Sequence, residues 1–174
     1  YKLAEATINL PGTPTVPEVQ VFTIDAKTDD VSEAVLGAID KAIPFPIIFE
    51  IARHRAGQPE TRTVAAHKQL GAGTPKLSAY YSTGWQAGDT SRQALPTAIT
   101  LPALYAALMQ PLTPITARPG EEMSDVADRL ATVCKLEREV ASLERKLRTE
   151  PQLNRKVELR RTLKTKQHEL EQQR

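Results

Sequence analysis

The sequence predicts an α+β protein: a small mixed or antiparallel sheet with packed helices, then a C-terminal antiparallel helical hairpin forming a coiled-coil arm. Three observations predict it. Twelve of the thirteen prolines precede residue 120, so long helices do not fit there. Runs rich in β-branched residues, of strand length, recur between those prolines. From Glu121 to Arg148 there is neither Pro nor Gly, and Val126, Val133, Val140 and Leu147 recur every seventh residue with Leu136 and Leu143 between them. The expected division is a body over 1–118 and an arm over 119–174.

The elements follow in order. Ala6–Leu10 is a short apolar stretch that Pro11-Gly12 ends. Val19, Val21, Phe22 and Ile24 make Glu18–Asp25 a strand. Asp30 and Glu33 resemble a capping box, and Val31, Val35, Leu36 and Ile39 follow at helical spacing until Pro44. Pro46–Ala52 is short, β-branched and nearly continuous, as in a central strand. Gly57-Gln58-Pro59 reads as a turn and Thr61–Lys68 as the antiparallel return strand. A loop over 71–75 leads to a strand at Leu77–Ser82, and Trp85 to Gln93 is irregular. Thr97–Leu101 reads as a short strand, Pro102–Gln110 as a short helix, and Pro111, Pro114 and Pro119 as a linker.

The arm's first helix carries its apolar stripe over almost four heptads. Leu130 broadens that stripe. Thr149 and Gln152 have capping-box spacing around Pro151, and a second helix from Glu150 to about Gln172 carries Leu153, Val157, Leu159, Leu163 and Leu170. The two form a hairpin; the alternative is one long helix kinked at Pro151.

Composition excludes several classes. The chain has 174 residues and no run of 18 apolar ones, so it predicts no membrane-spanning helix and no membrane partner. Cys134 is the one cysteine, which excludes an internal disulfide; beside Val133 it reads as a packing residue. The chain begins at Tyr1 rather than Met and reads there as the middle of an element, so a missing native N-terminus is expected. With one Cys and no visible signal peptide, the expected location is cytoplasmic. Residues 1–120 hold ten Lys and Arg against ten Asp and Glu, whereas 121–174 hold thirteen against eleven, so the whole +2 lies in the arm.

Chemistry-bearing motifs are sparse. P-loop, Rossmann, Gly-x-Ser-x-Gly and His-Glu-x-x-His patterns do not occur, so no catalytic residue and no cofactor is assigned. His54 lies between Arg53 and Arg55 and reads as part of a solvated hairpin rim, with a base there as the alternative. His67 reads as a hydrogen-bonded strand histidine, with a general base or an anion contact as the alternative, and His168 as a surface residue. No carboxylate or Cys stands at ligand spacing from them, so no metal is expected. Trp85 and Tyr80-Tyr81 read as core or loop anchors. Asp25-Ala26-Lys27 ends a strand as in Mg²⁺-dependent nucleases, with Glu5 or Glu18 as the second acid; the simpler reading is a charged strand end.

The stronger signal is basic. Arg155, Lys156, Arg160, Arg161, Lys164 and Lys166 stand with one acid, Glu158, among residues 155–166, a local excess of five. Lys156, Arg160 and Lys164 recur every fourth residue, a row suited to phosphates or to an acidic protein groove. The alternative is a solvated face, or one paired with Glu137, Glu139 and Glu144 across the hairpin.

Tyr1-Lys2-Leu3 with Thr7–Pro11, Val19–Phe22, Ala38–Phe49 (Ala-Ile-Asp-Lys-Ala-Ile-Pro-Phe-Pro-Ile-Ile-Phe), Ala66-His67-Lys68, Trp85 and Asn154–Leu159 together resemble the bacterial family catalogued as domain of unknown function 4391. The Ile-Asp-Lys-Ala-Ile-Pro-Phe-Pro run is the most specific part. Members begin several tens of residues earlier, with a helical segment leading into Tyr1. The resemblance implies a cytoplasmic bacterial or archaeal protein. It also implies a genomic setting beside helicase and DNA methyltransferase genes in restriction-like or phage-defence clusters. The family has no established catalytic residues, so none carries over. Some relatives show Glu-x-Lys where this chain has Asp25-Ala26-Lys27 and others lack the acid, which counts against an essential nuclease site.

The expected function is therefore a non-enzymatic accessory or scaffold subunit of a DNA-processing or phage-defence system. Its arm would bind a protein partner of helicase or methyltransferase type, or duplex DNA, or both. One alternative is a divergent Mg²⁺-dependent nuclease centred on Asp25 and Lys27; another is a structural homodimer through the coiled-coil arm.

Overall fold

The computed structural model describes residues 1–69, 75–91, 94–118 and 120–174. Most of the expected 71–75 loop, Gln93, and Pro119 of the expected linker lie outside the described residues. The fold is α+β, with a mixed sheet and two C-terminal helices packed on each other. The chain divides into two compact units, Tyr1–Pro114 and Ile115–Arg174.

In the first unit the strands are β1 (Lys2–Ala4), β2 (Glu18–Asp25), β3 (Ile47–Arg55), β4 (Gln58–Gln69), β5 (Lys76–Ser82) and β6 (Gln86–Ala87). Their order is β1-β2-β3-β4-β5, with β6 beside β4. A single turn, α1 (Glu5–Ile8), follows β1. Among the described strands only β2 and β3 run parallel, because α2 (Glu33–Ala42) carries the chain back between them. Ile47, Ile48, Phe49 and Ile51 of central β3 are all buried, as its unbroken apolar run predicts. Leu36 of α2 packs with Ile47, Phe49, Ile51 and Val64 on one face. Leu104 and Tyr105 of α3 (Leu101–Met109) are buried too, and the Tyr105 hydroxyl donates to Ala66 O at 3.1 Å.

Four local expectations are corrected. Asp30 does not cap α2: Ser32 holds the cap position with no side-chain bond, and Asp30 Oδ1 instead accepts from Val31 N–H and Arg62. Residues 97–100 form no strand, because Thr100 serves as N-cap of α3, accepting Ala103 N–H at 3.3 Å. The β3–β4 turn is Ala56-Gly57, and Gln58 and Pro59 already belong to β4. Short β6 lies within the stretch read as irregular.

Ala56 and Gly57 have φ of 51° and 79°, the double left-handed pattern of a two-residue hairpin turn. Gly adopts this freely, whereas alanine at 56 carries steric strain. Ala56→Asn is expected to raise stability by about 0.5–1 kcal/mol, since Asn tolerates this region better. Urea unfolding of the two proteins measures the difference; an unchanged or lower midpoint would refute it.

The second unit is an antiparallel hairpin of α4 (Met123–Thr149) and α5 (Leu153–Gln173). Lys166 meets Glu139 near the middle of α4 and Arg129, nearer its start, meets the Gln173 carbonyl, so the two helices run antiparallel. The single kinked helix is thereby excluded. Thr149 does not cap α5: its hydroxyl donates back to the Arg145 and Lys146 carbonyls, and Glu150 Oε1 accepts Gln152 N–H. Pro151 sits in the turn, where its missing N–H costs no helical bond.

Candidate functional site

The arm's chemistry follows from how α5 turns. Its half-buried residues include Lys156, Leu159, Leu163, Lys166, Leu170 and Gln173, which alternate three and four apart as a seam against another helix must. Only three of these six are apolar, and no residue of α5 is buried. On α4, Val126, Val133 and Leu136 are buried, whereas Val140, Leu143 and Leu147 toward the tip are half-exposed. On α4 the seam is thus buried at its base and half-exposed toward its tip.

The six basic residues separate by position. Lys156 and Lys166 lie on the seam side; Arg155, Arg160, Arg161 and Lys164 are exposed. Lys156, Arg160 and Lys164 span about 80° of the helix, with Lys156 nearest the seam and Lys164 farthest from it. Each four-residue step overshoots a 3.6-residue turn, and the row drifts from the seam into solvent. Lys166 pairs with Glu139 at 3.4 Å and Glu169 at 2.8 Å, and Glu169 above all, then Glu139, raises its pKa. Of the acids expected across the hairpin, Glu139 and Glu137 are used, the latter by Arg174 at 2.8 Å. Among the described residues, Glu144, Arg155, Arg160, Arg161 and Lys164 form no ion pair. Arg155 lines a shallow groove at the tip with Lys146, Glu150 and Glu158.

The base of the arm is built on Arg129. It occupies the heptad position between Val126 and Val133 that an apolar residue would fill, and it is 6 % exposed. Its Nε and Nη2 grip both oxygens of Glu121 at 2.7 and 2.6 Å, and Nη2 also donates to Thr116 O. Nη1 donates to the Gln173 carbonyl at 2.9 Å, and Arg118 donates to Gln172 O at 2.5 Å. Two cations thus satisfy carbonyls at the C-terminal end of α5, where the helix dipole favours them. Arg129's hydrogen bonds hold the Glu121 carboxyl down to about 2.

Among the described residues the body holds two other polar clusters. Asp40, Lys68 and Tyr80 tie α2 to β4 and β5. Lys68 Nζ is ion-paired with Asp40 Oδ1 at 2.7 Å and donates to the Ile43 and Phe45 carbonyls, with both side chains wholly buried. The Tyr80 hydroxyl donates to Asp40 Oδ2 at 2.5 Å. Burial pushes the Lys68 ammonium below its ordinary pKa, against the pull of Asp40, and pushes the Tyr80 phenol up. In the second cluster the Arg53 guanidinium lies 3.7 Å from the Trp85 ring centre and is bound by Glu60 and the Asp29 carbonyl. Arg62 flanks the same ring and pairs with Asp30. Trp85 and Tyr80 pack against the core, in keeping with anchors.

Asp25 and Lys27 are exposed at the C-terminal end of β2. The acids expected to join them stand elsewhere. Glu18 begins β2, seven residues or roughly 23 Å away at 3.3 Å per residue, and is taken by Lys2 and Gln20. Glu5 follows β1, which pairs with that same far end. The acid on the face of Asp25 is Glu50, since Thr23 pairs with Glu50 and Asp25 with Ala52. Among the described residues no three His, Cys, Asp or Glu stand close enough to hold a metal ion. His54 is exposed on the hairpin rim opposite Pro59, and His168 is exposed on α5. The His67 ring stacks on Tyr105, and its backbone N–H donates to Ser78 Oγ. Cys134 is half-buried on α4.

Sequence reasoning missed Arg129, Glu121, Asp40 and Lys68. Signals existed: Arg129 falls in the heptad register, Asp40 lies four residues beyond buried Leu36, and Lys68 continues the two-residue alternation from Val64 and Ala66.

A family model described as domain of unknown function (DUF4391) matches residues 1–170. No curated protein matches the chain, and no solved structure does.

Proposed function

The chain belongs to the DUF4391 family, and from that premise we propose that it is a non-enzymatic accessory or scaffold subunit of a bacterial DNA-processing or phage-defence system. Its arm is the docking element. The observation that carries this reading is the outward side of α5. Arg160, Arg161 and Lys164 are exposed there, and among the described residues none meets a carboxylate of its own chain. Exposed cations left unneutralised over one helical face suit an anionic partner. The partner class is a large protein of helicase or methyltransferase type, with nucleic acid as a further ligand; that setting rests on the family resemblance.

The test is capture from the native host with the whole chain as bait. The wild-type chain should retain a helicase- or methyltransferase-type protein, and Arg160→Glu/Arg161→Glu/Lys164→Glu should lose it while circular dichroism shows the helices intact. Equal retention by both would refute the arm as the docking element. A labelled duplex, measured at low and moderate salt, tests nucleic acid separately. Phosphate contacts predict weaker binding as salt rises and further loss in the triple variant.

One observation keeps a second reading in view. Asp25 and Glu50 share a sheet face on adjacent parallel strands, so a Mg²⁺-dependent nuclease centred on Asp25 and Lys27 would draw its second acid from Glu50. Mg²⁺-dependent cleavage lost in Asp25→Ala would establish it; no cleavage by the wild-type chain would exclude it.

A further inference from the structure

Helix α5 carries a second heptad row besides its seam with α4. Leu153, Val157, Arg160, Lys164 and Gln167 alternate four and three apart, the spacing by which one helix accepts another. The row lies about 100° around the helix from the seam, one residue's rotation. All five residues are exposed, with Leu153 at 73 % and Val157 at 42 %. The row opens with two aliphatic positions and continues with cations, and Arg161 stands beside it.

This pattern discriminates between occupants. Duplex phosphates would engage the cations and leave Leu153 and Val157 in water, so a nucleic-acid surface does not account for the apolar half of the row. A second copy does not supply the missing charge either. Helix α4 holds six Lys and Arg against five Asp and Glu, and α5 six against three, so both arm helices carry a cationic excess. Pairing α5 with α5 would bring Arg160, Arg161 and Lys164 toward their own kind, and like charges in register repel. A partner helix with apolar residues at one end and carboxylates at the following heptad positions satisfies both halves.

We infer that the outer row of α5 docks an acidic amphipathic helix of the partner, making the arm locally three-stranded, with Leu153 and Val157 as apolar anchors and Arg160, Arg161 and Lys164 as the charge register. This rests on the arm being the docking element and names the chemistry it recognises. Leu153 and Val157 then supply affinity by burial, and the cations set orientation and reject basic helices.

The test uses the full chain and three labelled probes: a three-heptad helical peptide with Leu in its first heptad and Glu in the next two, the same peptide with Lys for Glu, and a short DNA duplex. Fluorescence anisotropy should show binding of the Glu peptide and none of the Lys peptide. Leu153→Ser/Val157→Ser should weaken binding of the Glu peptide by about fiftyfold, as loss of two buried aliphatic contacts implies. Arg160→Glu/Arg161→Glu/Lys164→Glu should abolish binding, with helix content unchanged by circular dichroism. Three results would overturn the inference: no binding of the Glu peptide, indifference to Leu153 and Val157, or tighter binding of the duplex. The arm reading fails separately, if charge reversal leaves host-protein capture unchanged.

Discussion

Lys68→Met is expected to destabilise the body by about 4 kcal/mol, the scale of breaking one partner of a buried ion pair. The ammonium has three oxygen neighbours within 3 Å and no exposure to water: Asp40 Oδ1 at 2.7 Å, Ile43 O at 2.9 Å and Phe45 O at 2.6 Å. Methionine fills the volume but donates nothing. Asp40 would keep only the Tyr80 hydroxyl, and two carbonyls just past the end of α2 would lose their donor. The cost comes mainly from the carboxylate left behind in a medium that solvates it poorly. That assignment makes a second prediction. Lys68→Met/Asp40→Leu removes both charges and should be more stable than Lys68→Met alone, because a whole ion pair exchanges for apolar side chains at small net cost. Urea unfolding of the variants measures both. A double variant less stable than the single one would refute the ion-pair account.

Arg129→Met should cost on the order of 3 kcal/mol in the arm, for the same reason at a different place. Arg129 joins Thr116, Glu121 and the last carbonyls of α5. Without it Arg118 still reaches Gln172 O, so the expected change is fraying that begins at the end of α5. Hydrogen exchange should show lost protection over the last two turns of α5. Unchanged protection there would refute Arg129 as the clamp. The pH dependence has a definite sign. Glu121 is depressed from 4.5 to about 2 in the folded protein. Its contribution is therefore fully present above pH 4.5 and is lost as pH falls through about 2. In Arg129→Met the Glu121 carboxyl should titrate back toward its ordinary value, which carbon-detected NMR reads directly. The clamp also bears on docking, since the base residues of the seam set how α5 presents its outer row.

The contrast between α5 and the body clusters shows what sequence can and cannot carry. Strand β2 and the pairing of β3 with β4 were legible because alternation and β-branching are local consequences of a half-buried pleated ribbon. The hairpin was legible because heptads report a partner helix directly, and Pro151 reports the reversal. The basic residues of α5 were legible as a composition, but their division was not. Lys156 and Lys166 turn toward the seam while Arg160, Arg161 and Lys164 turn away, and that division depends on where α4 lies. The expected pairing of Asp25 with Glu18 or Glu5 failed on the same ground: strand register, a tertiary property, places those acids at the opposite end of β2 and brings Glu50 to the right face.

The sequence by itself determined the α+β class, the helical arm and the placement of the formal charge excess in that arm, because periodicity, Pro and Gly act over a few residues. Only the tertiary structure decided which charges are spent internally. Lys68 is consumed by Asp40 twenty-eight positions away, and Arg129 by the far end of α5. Arg160, Arg161 and Lys164 remain outward and unpaired among the described residues. The Coulomb energy of a charge depends on distance and burial in space, and neither is a property of neighbours along the chain.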